Sequence, residues 1–84
     1  MEKVQVYGAD WCGMTKRSLK LLDGFGVDYE YINVDEDAAG AAWVREHNAD
    51  GKERKPTIKL GSQILIEPDD AELTAALRAG GYAN

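Results

Sequence analysis

Val4-Gln5-Val6-Tyr7-Gly8-Ala9-Asp10-Trp11-Cys12-Gly13-Met14-Thr15 is the stretch on which the chain turns. Val4, Val6 and Tyr7 form a β-rich run closed by Gly8, which predicts a strand over about residues 3–7. Over residues 13–25 the period changes to that of a helix. Met14, Ser18, Leu21, Leu22 and Phe25 are expected on its inner face, with Lys16, Arg17 and Lys20 on the other. Cys12, the only cysteine, therefore sits where a strand hands over to a helix. The first turn of a helix leaves backbone N–H groups unpaired and carries partial positive charge. A thiolate placed there is stabilised, so its pKa falls and it serves as a nucleophile near neutral pH. A lone cysteine elsewhere is ordinarily a small buried hydrophobe. Its placement is the argument for chemistry.

Working outward, Gly24 and Gly26 end the helix, and the β-rich run Tyr29 to Val34 predicts a second strand. Asp35 is expected to cap a second helix reaching about His47, with Glu36 and Asp37 in its first turn. That helix is alanine-rich, with Trp43 and Val44 as its large apolar residues. Asn48-Ala49-Asp50-Gly51 reads as a turn, followed by charged Lys52-Glu53-Arg54-Lys55. Thr57 to Leu60 and Gln63 to Ile66 flank Gly61-Ser62, a pair suited to a II′ hairpin turn. Pro68 leads into a last helix, where Asp69 and Glu72 have capping-box spacing. Leu73, Ala76 and Leu77 are its inward residues, and Gly80-Gly81 stop it.

The 84 residues suit one domain, 1–84, with 44% hydrophobic content for one small core. A net charge of −5 argues against nucleic acid as the main partner. No apolar run approaches the ~18 residues of a membrane span, and Met1-Glu2-Lys3 has no signal-peptide character. One cysteine builds no internal disulfide framework, so a reducing cytoplasm is the expected location.

The order is β-α-β-α-β-β-α. Strands one and two, joined through a helix, should run parallel with a right-handed crossover. The hairpin adds two antiparallel strands. Helices are expected on both faces of the four-stranded mixed sheet. This α/β arrangement is that of the thioredoxin fold.

With that order in place, the residues resemble the glutaredoxin family, and within it the mycoredoxin-like branch. The resemblance rests on Trp11-Cys12-Gly13 after strand one, Pro56-Thr57-Ile58 at strand three, and Glu67-Pro68-Asp69-Asp70 after the hairpin. It implies Cys12 as the nucleophile and a cis Pro56 beside it. Lys55 would offer its backbone to an incoming thiol peptide. Trp11, Gly13 and Met14 would line the substrate, and the last helix, from Asp69 and Asp70, would bind the far end of a glutathione-like thiol. Three departures stand out. Thr15 occupies the place of a second cysteine, Lys55 that of a valine, and Glu67-Pro68 that of Gly-Gly. The last leaves open whether the thiol is glutathione or another low-molecular-weight thiol.

Several residues carry two readings. Thr15 either polarises the thiolate through its hydroxyl or points to solvent. Asp10 would raise the thiol pKa if turned inward and is expected to face water. Trp11 is a lid or ordinary packing. Arg17, Arg45, Arg54 and Lys55 are carboxylate clamps or solvated surface charges. His47 suits a helix C-terminus, and with a single cysteine it is not expected to ligate a metal.

The reading that follows is a monothiol thiol–disulfide oxidoreductase. It would need no bound cofactor, with a small thiol as co-substrate and oxidised client proteins as partners; a monomer is expected. Two alternatives stay open. One is a carrier of a [2Fe–2S] cluster, in which two chains and two external thiols supply the four ligands. The other is a redox-silent binding module that kept the fold.

Overall fold

The computed structural model describes residues 2–83. The elements run β1 (Val4–Gly8), α1 (Gly13–Phe25), β2 (Tyr29–Asn33), α2 (Ala38–Glu46), β3 (Thr57–Leu60), β4 (Gln63–Ile66) and α3 (Asp70–Ala79). The sheet has four strands in the order β2-β1-β3-β4. β1 and β2 are parallel, and β3 is antiparallel to both β1 and β4. This is the expected thioredoxin-like topology, and the hairpin falls at the expected residues. Gly61 takes φ +60, while Ser62 stays out of the positive-φ region, as a II′ turn requires.

Strand alternation assigns the two sheet faces. Val4, Val6, Ile58 and Leu60 turn to one face and pack with Leu22 of α1 and Leu73, Ala76 and Leu77 of α3. Fully burying such a side chain contributes about 1.5–3 kcal/mol. Tyr7 turns to the other face and packs with Val34, Ala41 and Val44 under α2.

The topology brings four chain segments to one end of the sheet. β1 leaves there towards Cys12, and its parallel neighbour β2 leaves there towards Asp35. β3 enters at Thr57, paired with Tyr7, so Lys55-Pro56 arrives beside the β1 exit. β4 leaves opposite Thr57, and Glu67 N–H donates to Pro56 O at 2.8 Å before α3 begins.

Two local expectations need correction. The inner face of α1 is Thr15, Ser18 and Leu22, whereas Met14 and Phe25 turn outward at 40% and 37% exposure. The reason lies at Gly8, whose missing side chain leaves the space that Thr15 occupies. The cap of α2 is Asp37, not Asp35, and its side chain accepts from Gly40 N–H at 2.8 Å. Asn33 folds the chain back first. Its backbone carbonyl accepts from Glu36 and Asp37, and its side chain accepts from Asp35 N–H. The helix start is thereby delayed by one short turn, and Glu36 and Asp37 fall before its first turn.

Candidate active site

Cys12 is the N-cap residue of α1, with extended backbone (φ −81, ψ 117), and its carbonyl accepts from Lys16 N–H. The free thiol is half-buried. As a neutral group the sulfur caps no helix N–H; it donates instead to Lys55 O at 3.8 Å. The ionised form has more partners. Burial pushes the thiol pKa up. Hydrogen bonds from the Thr15 hydroxyl and from the N–H groups of Thr15 and Met14, together with the Lys55 charge, pull it down by more. The balance lies below the ordinary thiol value. The expected helix-start effect is present, strengthened by a hydroxyl and a lysine.

Thr15 is 1% exposed, so its hydroxyl does not point to solvent. Its oxygen accepts from Ala9 N–H at 3.5 Å, leaving the hydroxyl hydrogen for the thiolate. Lys55 lies across from the sulfur, and the Lys55–Pro56 bond is cis. The Lys55 side chain is 15% exposed; its Nζ lies 3.9 Å from Glu53 Oε1 and 5.6 Å from the centre of the Trp11 ring. Trp11 is 69% exposed, but it is held: its indole N–H donates to Asp35 Oδ2 at 2.7 Å. The ring stands as an exposed wall with a cation on one side. Gly13 and Met14 are exposed next to it.

Asp10 is exposed, and its carboxylate accepts from Tyr31 O–H at 2.7 Å. Burial and that hydrogen bond both push the Tyr31 phenol up, so it stays a donor. Asp69 and Asp70 are occupied differently. Asp69 Oδ1 accepts from Glu72 N–H at 2.7 Å, and Asp69 N–H donates back to Glu72 Oε1, closing the expected capping box. Asp70 lines a groove between α1 and α3 with Arg17, Lys20 and Phe25. Thus Trp11, Cys12, Thr15, Lys55 and Pro56 come together, while Asp69 caps α3 and Asp70 opens it.

The arginines divide as well. Arg45 pairs with Glu53 at 2.9 Å, and Arg54 pairs with Asp50 and lies 4.0 Å from Glu67. Neither reaches Cys12. His47 stacks on Trp43 with ring centres 4.1 Å apart. Among the described residues, no group of three or more His, Cys, Asp or Glu side chains is placed to hold a metal, and no helix is long and apolar enough to cross a membrane. Asp35 and Tyr31 are site neighbours that sequence reasoning missed. Each meets its partner across more than twenty residues, and no local signal marks such a pairing.

This geometry has relatives. The glutaredoxin family profile matches residues 4–65. Mycoredoxin 1 of Corynebacterium glutamicum is 35% identical over 80 residues, spanning 94% of this chain and 98% of that protein. The glutaredoxin of Archaeoglobus fulgidus superposes with a TM-score of 0.75 at 27% identity, over 93% of this chain and 88% of that one. The glutaredoxin of Methanosarcina mazei does so with a TM-score of 0.74 at 28% identity, over 89% and 77% of the two chains. A half-buried, acidified thiol at a strand–helix junction is what disulfide exchange requires, and the chain belongs to the glutaredoxin family of thiol–disulfide oxidoreductases, with Cys12 as its only cysteine.

Proposed function

We propose that this protein, acting as a monomer of one domain in a reducing cytoplasm, frees client proteins from mixed disulfides with a low-molecular-weight thiol. The observation that carries the reading is the pair of contacts on Cys12: the Thr15 hydroxyl behind the sulfur and the Lys55 carbonyl in front of it. The Cys12 thiolate attacks the small-thiol sulfur of the mixed disulfide. The client leaves as a thiolate and takes up a proton, and the small thiol is now bonded to Cys12. A second molecule of that thiol, as thiolate, attacks this bond and departs as the symmetrical disulfide, regenerating the Cys12 thiolate. The client cysteine is reduced, and one free small thiol is oxidised as it leaves in disulfide linkage with the thiol the client had carried.

In this reading Cys12 is the nucleophile and Thr15 the hydroxyl donor to its charge. Trp11, Gly13 and Met14 form the exposed wall that the substrate meets, and Lys55-Pro56 present the backbone edge. Asp69 and Asp70 face the distal end of the thiol. Three features support a thiol whose distal end bears hydroxyls or an amine rather than a carboxylate. Pro68 has no N–H, and the N–H groups of Asp69 and Glu72 are taken by the capping box. Four carboxylates, Glu67, Asp69, Asp70 and Glu72, also crowd the same turn. Incubation with oxidised glutathione and with an oxidised hydroxyl-rich thiol, read by mass spectrometry of Cys12, tests the assignment. The hydroxyl-rich adduct should form faster and be released by its free thiol. No adduct with either, or no turnover, would overturn the proposal.

A further inference from the structure

A groove of about 360 Å³ runs between α1 and the start of α3, beyond the thiol site. Leu21, Gly24 and the outward-turned Phe25 give it an apolar floor, and Arg17 and Lys20 form its rim. The charges here are unusual for this molecule. Lys3, Arg45, Arg54, Lys55 and Lys59 each lie beside a carboxylate. Lys16, Arg17 and Lys20, three cations on one helix, enter no ion pair among the described residues. The Arg78 guanidinium lies 6.0 Å from the centre of the Phe25 ring. In a chain of net charge −5, Arg17 and Lys20, which enter no ion pair among the described residues, thus rim a groove that adjoins the thiol-bearing helix. Among the described residues, Asp70 is the only acid lining it.

We propose that this groove docks an acidic segment of the client protein, with an aromatic or aliphatic side chain against Phe25 and carboxylates against Arg17 and Lys20. The proposal rests on the oxidoreductase reading above and adds the kind of client. Its position is consistent with that role. At 1.5 Å per residue, Arg17 and Phe25 lie about 8 and 20 Å along α1 from Cys12. An extended chain covers that span in roughly two to six residues. The acidic segment should therefore lie about two to six residues from the client cysteine. Fields from exposed cations steer and select such partners more than they hold them.

Two peptides test it, each with one cysteine in mixed disulfide with the small thiol. One carries Asp, Glu and Phe at those distances, the other Lys and Phe. The KM for the acidic peptide should be about threefold to tenfold lower at low salt, and the difference should vanish near 1 M salt, where screening shortens to about 3 Å. Lys20→Glu should invert the preference, and Phe25→Ala should raise KM for both peptides, while turnover of a small disulfide without a peptide stays unchanged. Equal KM values for the two peptides, or a preference that Lys20→Glu leaves alone, would overturn the proposal. Binding of the cysteine-free acidic peptide, followed by amide NMR shifts, separates the docking surface from the chemistry. Shifts at Arg17, Lys20, Gly24 and Phe25 support the groove even if the small disulfide is not turned over. Shifts confined to Cys12, Lys55 and Thr57, or none, count against it.

Discussion

A side chain at Gly8 would put its Cβ 2.4 Å from Thr15 Cγ2 and 2.5 Å from Thr15 Oγ1. The end of β1 and the first turn of α1 are thus in direct contact, and Thr15 is fixed between the strand and the Cys12 sulfur. Gly8→Ala should cost about 1–3 kcal/mol, the usual effect of overpacking a tight contact. It should also raise the Cys12 pKa, because Thr15 must move to make room. Urea denaturation and the pH dependence of alkylation check the two effects. An unchanged protein on both measures would mean that Thr15 adapts freely.

The acidified thiol makes a signed prediction of its own. Alkylation of native Cys12 should have its midpoint below the ~8.5 of a free thiol. Thr15→Val keeps the shape but removes the donor, and it should move the midpoint up. Lys55→Gln should do so too, by less, since its charge is the smallest of the named contributions. The linkage follows. With the folded pKa depressed, the thiolate's contribution to stability is fully present above the unfolded value. It is lost as pH falls through the folded one. Cys12→Ser should abolish that part of the pH dependence.

The fold was legible because its boundaries carry strong chemical marks. Cys12 and Gly26 bracket α1, Gly61-Ser62 marks the hairpin, and Asp69 with Glu72 marks the start of α3. The inner face of α1 was not legible in full. Periodicity ranks apolar residues inward, and it placed Met14 and Phe25 where a threonine and bare helix surface turned out to matter. The choice between Asp35 and Asp37 as cap hung on an Asn33 turn whose hydrogen bonds no pattern announces. At the site, the residues adjacent in sequence to Cys12 and Pro56 could be read. Their partners Asp35 and Tyr31 arrive through the parallel β1–β2 pairing and could not.

Asp35 leads to the next expectation. It holds the exposed Trp11 ring through one hydrogen bond. Asp35→Ala should release the ring, at a cost of about 0.5–1 kcal/mol in substrate binding. That corresponds to a KM rise of roughly two- to fivefold with kcat little changed. In a Trp43→Phe background, Trp11 fluorescence anisotropy should gain a fast component. If the ring stays equally immobile, Lys55 or the neighbouring backbone holds it instead.

Glu67 has φ +49, the one non-glycine among the described residues in the left-handed region. That backbone costs an ordinary residue roughly 1 kcal/mol. Glu67→Gly should therefore stabilise the protein by about 0.5–1 kcal/mol, since the weak pair with Arg54 at 4.0 Å offers little to lose. Combined with Pro68→Gly, it removes a carboxylate and frees backbone N–H at the start of α3. The double variant should accept glutathione more readily than the parent does. Adduct formation rates on Cys12 with the two oxidised thiols measure this. A double variant that folds and keeps the parent's preference would place thiol selection elsewhere.

The last expectation concerns Thr15 as the seat of a second thiol. Its side chain already points at the Cys12 sulfur from three residues along the first turn of α1, within hydrogen-bonding reach of the thiolate. A sulfur in place of the hydroxyl lies in the direction that a disulfide needs, although bonding distance is shorter and χ angles must adjust. Thr15→Cys should therefore oxidise to an internal disulfide. The parent, with one cysteine, should accumulate under the same conditions as a mixed disulfide with the small thiol. The variant should also reduce protein disulfides without a small thiol in the first step, because the second sulfur can expel the client from Cys12. Intact-mass measurement separates the two oxidised forms by the mass of the bound thiol. Should the variant instead carry the small thiol on Cys12 and leave the new cysteine alkylatable, residue 15 would be held too far from the sulfur. The hydroxyl's effect on the thiolate would then be ascribed to the helix N–H groups of Met14 and Thr15 alone.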